Sequence, residues 1–204
     1  MITVIDYGLG NIQAFVNAYS RLNIQVKVSS SVNDLEGTTK IILPGVGAFD
    51  HAMQKLNSSG MRDYIEHLVL DNKIPILGIC VGMQMLANSS EEGQLPGLGL
   101  IDGTVKKFDR STMIESSNLP HMGWNMVIPK TDKGLFKDMD TEKRFYFLHS
   151  YFFECNKEKN ILATTEYGYN FTCAVKKNNI LGVQFHPEKS HHFGVQLLKN
   201  YSEI

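Results

Sequence analysis

The segment from Ile74 to Gln84 carries the residues best suited to covalent chemistry. It reads I-P-I-L-G-I-C-V-G-M-Q, an apolar strand pattern that runs into Gly-x-Cys-x-Gly and then into a helical pattern. Glycine on both sides of Cys80 allows a sharp strand-to-helix turn, because neighbouring backbone comes too close there for a Cβ atom. Free N–H groups and the positive dipole end of the following helix would favour the thiolate. The pattern predicts a nucleophilic Cys80 rather than an apolar filler at the end of a core strand.

A second group of reactive side chains lies between Gly182 and Ser190, again after an apolar run. Here His186 and Glu188 flank a proline that restrains the backbone between them. A thiolate nucleophile needs a base that later returns the proton to the leaving amine, and a histidine oriented by a carboxylate can do both. The alternatives are a surface histidine in a turn, or a metal site with His191 and His192. Because no second ligand pair has zinc spacing and no Pro-Cys-x-x-Cys follows, we expect no metal.

A glycine-rich turn, L-P-G-V-G-A-F from Leu43 to Phe49, follows a third apolar run. Acyl transfer builds a tetrahedral oxyanion, and backbone N–H groups freed by such a turn can stabilise it. One donor would come from this loop and another from Val81. The alternative is a tight turn between a strand and a helix with no chemical role.

The segment from Gly8 to Gln13 only partly matches a dinucleotide-binding motif. The segment G-L-G-N-I-Q follows the first strand as a dinucleotide fingerprint would, but its sixth position is Gln13. The second strand then ends in serines, with no acidic residue to hold a ribose hydroxyl. We therefore expect no nucleotide and no other cofactor.

The elements that must position these groups alternate along the first half of the chain. Apolar strand patterns and helical patterns follow one another at Ile2 to Ile5, Ile12 to Leu22, Val26 to Val28, Ile41 to Leu43, Phe49 to Leu70 and Ile74 to Ile79. Such alternation predicts an α/β fold with an open, mixed, mainly parallel sheet flanked by helices. His186 would then lie beyond the end of a strand, at the edge where such sheets carry their sites.

The second half of the chain changes to strand patterns before a final helix. The predicted strands are Phe145 to Leu148, Ile161 to Thr165, Thr172 to Val175 and Ile180 to Phe185, and the helix lies near Gly194 to Tyr201. We expect these strands to be antiparallel additions to the same sheet.

The overall composition fits one globular domain over residues 1–204. Hydrophobic residues make up 43% of the chain, and the stretches Ser89 to Gly99 and Ser111 to Asn118 read as surface loops rather than linkers. A formal net charge of −1 indicates neither a nucleic-acid partner nor a membrane surface. No apolar run approaches the ~18 residues needed for a membrane span and no signal peptide is evident, so we expect a cytoplasmic protein. Three widely spaced cysteines indicate no disulfide framework.

Together, the cysteine turn, the later His-x-Glu and the Pro-Gly-Val-Gly loop resemble the class I (triad) glutamine amidotransferases, in the same chain order. More narrowly, the segments Asp6 to Asn11, Pro120 to Asn125, His149 to Tyr151 and His186 to Ser190 are similar to the glutaminase subunits of imidazole glycerol phosphate synthases. The likeness covers essentially the whole chain. It implies a flavodoxin-like fold and hydrolysis of L-glutamine to glutamate and ammonia by the triad Cys80, His186 and Glu188.

The resemblance also implies roles for further residues. It assigns glutamine binding to Gly47, Gln84, Ser150 and Tyr151, the oxyanion N–H groups to Val46 and Val81, and a docking face to Asn11, Trp124, Tyr146 and Lys189. The partner in that family is a (β/α)8-barrel cyclase, through which ammonia reaches a ribonucleotide intermediate of histidine biosynthesis to form imidazole glycerol phosphate and AICAR. From the residues alone, Trp124 and Tyr146 could also be core residues, and Lys189 an ordinary solvated lysine.

Three other functions stay open on the sequence. The continuation from His191 to Gly194 resembles paralogues whose cyclase-like partner amidates a surface sugar, so that the acceptor would be a nucleotide-linked sugar. A stand-alone α/β cysteine hydrolase would share the cysteine turn. A silent regulatory subunit would have lost a triad position, whereas all three are present here. We also hypothesise that the loop from Pro44 to Gly47 is misaligned until the partner docks.

Overall fold

The computed structural model describes residues 1–111 and 118–204. The strands of these residues are β1 (Ile2–Ile5), β2 (Val26–Ser29), β3 (Lys40–Gly45), β4 (Ile76–Cys80), β5 (Ser89–Ser90), β6 (Gly103–Lys107), β7 (His121–Met126), β8 (Ile128–Pro129), β9 (Arg144–His149), β10 (Tyr151–Cys155), β11 (Ile161–Tyr167), β12 (Tyr169–Lys177) and β13 (Ile180–Val183). The α-helices are α1 (Ile12–Arg21), α2 (Phe49–Ser58), α3 (Arg62–Leu70), α4 (Val81–Gln84) and α5 (His191–Glu203). Short 3-10 turns occur at Val32–Leu35, Gly134–Phe136, Glu158–Asn160 and Pro187–Lys189.

One large sheet organises the molecule. Its strand order is β2-β1-β3-β4-β13-β12-β11-β8. The strands β2, β1, β3, β4 and β13 are parallel to one another. Each of β12, β11 and β8 runs antiparallel to the strand before it in this order. The central strands β4 and β13 are buried at every position, as expected for parallel strands covered on both faces. This arrangement confirms the predicted α/β class with a mixed, mainly parallel sheet flanked by helices.

The first and last helices pack together against the sheet. Tyr19 of α1 is fully buried, and its hydroxyl donates to the carbonyl of Leu198 in α5 at 3.1 Å. Tyr201 of α5 donates to the carbonyls of Ile41, in β3, and Pro75, just before β4, at 2.6 and 2.9 Å. These buried hydroxyls tie the C-terminal helix to the strands that carry the candidate site.

The prediction that Phe145 to Leu148 adds to the main sheet is wrong. These residues belong to β9, which pairs with β7 in a separate two-stranded ribbon where Trp124 lies opposite Tyr146. The reason is packing: Phe145 and Phe147 face inward, and the ring of Phe145 stacks on Phe185 at 4.1 Å. The inward face of the ribbon therefore covers the segment that follows β13, while its other face stays exposed.

The helical pattern predicted from Phe49 to Leu70 is interrupted. Helix α2 ends at Ser58 and α3 begins at Arg62, with Gly60 between them at φ +72°. This left-handed conformation favours glycine and ends a helix. By contrast, β12 and α5 extend beyond their predicted limits at both ends.

The predicted loop at Ser89 to Gly99 contains the short strand β5 and is otherwise irregular. The predicted loop at Ser111 to Asn118 lies largely outside the described residues. In the part of the chain that the structure describes, no helix is both long enough and apolar enough to cross a membrane.

Candidate active site

Three adjacent parallel strands end at one edge of the sheet and carry the predicted reactive groups there. Cys80 is the last residue of β4 and pairs with Gly45 at the end of β3, just before Val46. On the other side of β4, the strand β13 ends at Val183, and His186 follows within one turn. The strand order thus brings the glycine-rich loop, the cysteine and the histidine to one place.

The backbone at Cys80 has the geometry expected of a sharp turn. Its φ and ψ are 56° and −114°, outside the regions that L-residues normally occupy. A Cβ atom on Gly82 would collide with the carbonyl of Leu43, and one on Gly78 would collide with the carbonyl of Gly82. The glycines flanking Cys80 are therefore required by close approach of the backbone.

The helix after Cys80 is short. It is the single turn Val81–Gln84, so its dipole is smaller than that of a long helix. The free N–H groups at its start remain available beside the sulfur. Electrostatic help for the thiol must therefore come mainly from neighbouring side chains.

A polar network surrounds the buried thiol. The Sγ of Cys80 lies 3.9 Å from the carbonyl oxygen of Leu148 and accepts from Nε2 of Gln184 at 3.8 Å. The side-chain oxygen of Gln184 in turn accepts from Nε2 of Gln84 at 3.1 Å. The ring of His186 also interacts with Cys80. Cys80 is 4% exposed, so few water molecules compete with these partners.

His186 and Glu188 form a close, buried pair. Nδ1 of His186 lies 2.9 Å from Oε1 of Glu188, and the two side chains are 5% and 3% exposed. A carboxylate only accepts hydrogen bonds, so Nδ1 carries the proton and Nε2 is left to face Cys80. Burial by itself lowers the pKa of His186, but the hydrogen bonds to Cys80 and Glu188 outweigh burial and raise the pKa to about 10. The site thus favours an imidazolium at His186, beside the sulfur of Cys80.

Backbone and hydroxyl contacts hold the histidine in place. The N–H of His186 donates to the carbonyl of Tyr146 at 2.9 Å. Ser190 accepts from the N–H of Tyr146 at 3.0 Å and donates to the carbonyl of His186 at 2.6 Å. Oε2 of Glu188 is buried without a hydrogen-bond partner among residues 1–111 and 118–204. The segment is therefore anchored to β9 rather than left as a free loop.

A cavity of about 280 Å³ opens beside the thiol. Its size is near the lower end of the ~300–1,000 Å³ range of small-ligand sites, which suits a single amino acid. The lining residues are Val46, Gly47, Cys80, Val81, Gln84, Glu92, Pro120, Leu148, His149, Ser150, Tyr151, His186 and Lys189. All six residues predicted to bind glutamine or the oxyanion lie on this wall, whereas Glu188 lies behind His186.

Four lining residues had no role in the sequence interpretation. Glu92 is the one carboxylate on the described wall, and its Oε2 accepts from the N–H of Phe49 at the start of α2, at 2.9 Å. Its segment carries no motif that could have revealed it. His149 and Pro120 stood inside motifs without an assigned role, and Leu148 faces both the cavity and the surface.

Three of the four residues predicted for a docking face, Trp124, Tyr146 and Lys189, lie near one another. Trp124 is 41% exposed, so the alternative that it is a core residue is wrong. Its ring lies edge-on to Tyr146 at 6.3 Å and parallel to His191 at 5.1 Å. Nζ of Lys189 lies 5.9 Å from the centre of the Tyr146 ring. Asn11 is exposed immediately before α1.

In the described ranges, no group of three or more His, Cys, Asp and Glu side chains could hold a metal ion. His191 and His192 open helix α5, where the ring of His191 stacks on the indole of Trp124 and the ring of His192 lies tilted against that of Phe193. The reactive groups of the cavity wall include the thiol of Cys80, the imidazole of His186 and the carboxylate of Glu92.

Comparison with known proteins places this site in a family context. The chain is 61% identical over 204 residues to the imidazole glycerol phosphate synthase subunit HisH of Bdellovibrio bacteriovorus, with 100% of both chains covered. It is 50% identical to the subunit of the same name in Leptospira interrogans and 46% identical to subunit HisH 2 of Pseudomonas aeruginosa, again over 100% of both chains.

Solved structures agree on the fold. A crystal structure of a glutamine amidotransferase matches with a TM-score of 0.76 at 20% identity, covering 99% of this chain and 97% of that chain. The PurLQS structure of Thermotoga maritima matches with a TM-score of 0.73 at 16% identity and the same coverage. Residues 3–202 match the family described as glutamine amidotransferase class-I. The chain therefore belongs to the class-I glutamine amidotransferase family and is an enzyme of that family.

Proposed function

We propose that this chain is the glutaminase subunit of an imidazole glycerol phosphate synthase and serves histidine biosynthesis. It hydrolyses L-glutamine to glutamate and ammonia, and the ammonia passes to a synthase subunit on a separate chain. The observation that carries the proposal is the series of contacts from Cys80 through His186 to Glu188 at the wall of a cavity of amino-acid size. The full-length similarity to subunits of that name supports the choice of synthase.

In the first half of the reaction, Cys80 acts as a thiolate beside the imidazolium of His186. The sulfur of Cys80 attacks the carboxamide carbon of glutamine, and the carbonyl oxygen becomes an oxyanion. The imidazolium of His186 then gives its Nε2 proton to the amide nitrogen, the C–N bond breaks, and ammonia leaves. A thioester between Cys80 and the glutamyl group remains. Glu188 stabilises the imidazolium throughout.

The second half releases glutamate. Neutral His186 takes a proton from a water molecule as that water attacks the thioester carbon. The C–S bond then breaks, the sulfur leaves as the thiolate, and the imidazolium is restored. The buried position of the pair keeps water away from the thiolate between cycles.

The oxyanion would be held by the backbone N–H groups of Val46 and Val81. Pro44 and Gly45 belong to β3 and pair with Ile79 and Cys80, so this part of the loop is held in the sheet. Val46, Gly47 and Ala48 are exposed, and Gly47 has a φ of +86°. Any realignment on docking is therefore confined to residues 46–48, where glycine permits a change of backbone conformation.

The cavity wall offers complementary groups for the amino-acid end of glutamine. Glu92 provides a carboxylate that can pair with the substrate ammonium group. Gly47, Gln84, Ser150 and Tyr151 supply the remaining polar contacts. Gln84 is already oriented, because its Nε2 donates to the carbonyl of Tyr151 at 3.1 Å.

We expect the partner to be a (β/α)8-barrel cyclase that docks on the ribbon of β7 and β9. Alternation along β7 exposes Met122, Trp124 and Met126 on one face, and Met122 is 62% exposed. Leu148 lies opposite Met122 and also lines the cavity. An exposed apolar patch of this kind marks a protein contact. Docking here would place the ammonia exit beside the partner, which matters because free ammonia is mostly protonated near neutral pH.

The proposal extends to the whole chain as one amidotransferase domain over residues 1–204, acting without a metal or cofactor. The family match over residues 3–202 supports this extent.

The decisive experiment measures glutamate release by the wild type and by Cys80→Ala. Each is tested alone and with a co-purified barrel cyclase from the same genome, with either the ribonucleotide precursor or a nucleotide-linked sugar as acceptor. We expect release that depends on both Cys80 and the partner, with consumption of the ribonucleotide. Consumption of the sugar instead would overturn the choice of pathway, and no release in any pairing would overturn the glutaminase assignment.

A further inference from the structure

Two buried histidines, one on the cavity wall and one behind it, form one directed series of hydrogen bonds. His121 begins β7 and His149 ends β9, and the two residues are paired across the ribbon. Nδ1 of His121 lies 3.0 Å from Nε2 of His149. Nδ1 of His149 lies 2.8 Å from the carbonyl oxygen of Tyr151. The series therefore ends on a residue proposed to hold glutamine.

The two ends of the series fix the proton positions. The carbonyl of Tyr151 only accepts, so Nδ1 of His149 must carry the proton and Nε2 must accept from His121. At the other end, Asn125 is oriented by its neighbours: its Oδ1 accepts from the N–H of Met126 at 2.8 Å, and its Nδ2 donates to the carbonyl of Glu166 at 2.7 Å.

The same amide nitrogen of Asn125 lies 3.3 Å from Nε2 of His121, which must therefore accept. His121 then carries its proton on Nδ1 and donates it to His149. Both histidines are neutral in this arrangement, because a second proton on either ring would face another donor.

The surroundings favour the neutral forms. The ring of His121 lies between those of Tyr167, at 4.0 Å, and Phe147, at 4.7 Å. Phe108 and Phe171 lie 5.4 Å from the ring of His149. Aromatic rings on these faces leave little room for the water that a charged imidazole would need.

We propose that His121 and His149 are positioning residues that set the carbonyl of Tyr151, and with it the Ser150-Tyr151 side of the glutamine cavity. The Tyr151 carbonyl accepts from both His149 and Gln84, so two donors hold it from different directions. His121 does not line the cavity and acts through His149. This inference rests on the proposed function of the cavity. It adds to that function a device that couples the docking ribbon to substrate binding.

The kinetic test uses His121, because its side chain lies away from the substrate. His121→Leu removes the donor to His149, whereas His121→Asn places an amide N–H close to the position of Nδ1–H. With the partner present, we expect His121→Leu to raise the KM for glutamine about tenfold with a smaller change in kcat, and His121→Asn to restore most of the loss.

Phe171→Leu is the matched control, because Phe171 packs on both imidazole rings without joining the hydrogen bonds. It should lower the melting temperature as much as His121→Leu does and leave KM unchanged. An equal rise in KM in all three variants, or no rise in His121→Leu, would overturn the proposal.

A second measurement needs no activity. The ¹⁵N shifts of the histidine rings near pH 7, assigned by single substitutions, should show the Nδ1–H form for both His121 and His149. An Nε2–H form at either residue would overturn the series. If the wild type released no glutamate with its partner, the proposed function would fail, and the ring shifts would still decide the hydrogen bonds.

Discussion

The hydroxyl of Tyr7 donates a hydrogen bond of 2.7 Å to the carbonyl oxygen of Pro44, the first residue of the proposed oxyanion loop. Tyr7 is buried behind the site, and burial, followed by the nearby charge of Cys80, raises its pKa. The hydroxyl therefore stays protonated and remains a donor at neutral pH. This contact links the segment that follows β1 to the last residues of β3, from which the loop emerges.

Tyr7→Phe should loosen the start of the loop without touching substrate. We expect kcat for glutamine hydrolysis to fall about tenfold, KM to change little, and the free energy of unfolding to fall by about 1 kcal/mol. Steady-state kinetics with the partner and urea unfolding would measure both effects. Tyr64→Phe, on the surface of α3, is the control and should leave both unchanged; an unaltered kcat in Tyr7→Phe would exclude a role for this contact.

Glu188→Gln should remove the charge that stabilises the imidazolium of His186. The pKa of His186 should then fall, and glutamine hydrolysis should slow by about 10²-fold or more, since proton transfer by this group serves both halves of the reaction. Stopped-assay glutamate release would measure the loss. The exposed pair of His67 and Asp71, 2.7 Å apart, supplies the control: Asp71→Asn should be fully active, and full activity in Glu188→Gln would contradict the proposed triad.

Acid should destabilise the fold through the two buried histidines. Burial lowers the pKa of His121 from 6.5 to about 4, and burial followed by the charge of His121 lowers that of His149 to about 3. The unfolded chain therefore binds protons first as the pH falls. The stability that these groups contribute is complete above pH 6.5 and is lost as the pH falls towards their folded pKa values.

Each histidine changes the free energy of unfolding by at most about 1.4 kcal/mol per pH unit. Tyr167 and His186 are the titratable neighbours that face the pair, and His186 has a raised pKa, so it titrates on the alkaline side. Urea unfolding at several pH values between 8 and 4 gives the free energy of unfolding as a function of pH. This free energy should fall less steeply with falling pH in His121→Leu than in the wild type. Parallel slopes would show that His121 is protonated in the folded chain.

Gly82→Ala should lower the free energy of unfolding far more than an alanine placed at a glycine with free space around its Cα. The added Cβ would meet the carbonyl of Leu43, and the backbone around Cys80 would have to move. We expect a loss of about 2–3 kcal/mol in the free energy of unfolding and loss of glutaminase activity. Gly60→Ala, with φ +72° and open space around its Cβ, should cost about 1 kcal/mol and keep activity. An equal loss in the free energy of unfolding in Gly82→Ala and Gly60→Ala would mean that the turn at Cys80 is not tightly packed.

Trp124→Ala should weaken docking while the fold stays intact. A half-exposed indole at the centre of an apolar ribbon is the kind of residue that dominates binding, and its loss should raise the Kd for the cyclase by about 30-fold. Val28→Ala, an exposed apolar residue on the outer part of the sheet at β2, is the matched control. If both variants bound the partner equally, docking would have to use another face.

The cysteine turn and the His-x-Glu segment were predictable because the information is local. The sharp backbone at Cys80 requires glycines two residues away on either side, and a single residue separates His186 from the carboxylate that orients it. The alternation of strands and helices likewise follows from residues close in sequence. Such features depend on short-range sterics and spacing, which a single sequence displays directly.

Other features depended on the strand order, which long-range packing decides. Placing β4 between β3 and β13 brings Cys80 beside His186, although the two residues are far apart in the chain. The pairing of β9 with β7, rather than with the main sheet, exposes Trp124 and buries His121. Glu92 reaches the cavity from an irregular segment without a motif. The sequence by itself determined which groups could react, while the tertiary structure decided which of them meet. Such contacts depend on strand pairing and packing between segments that are far apart in the chain.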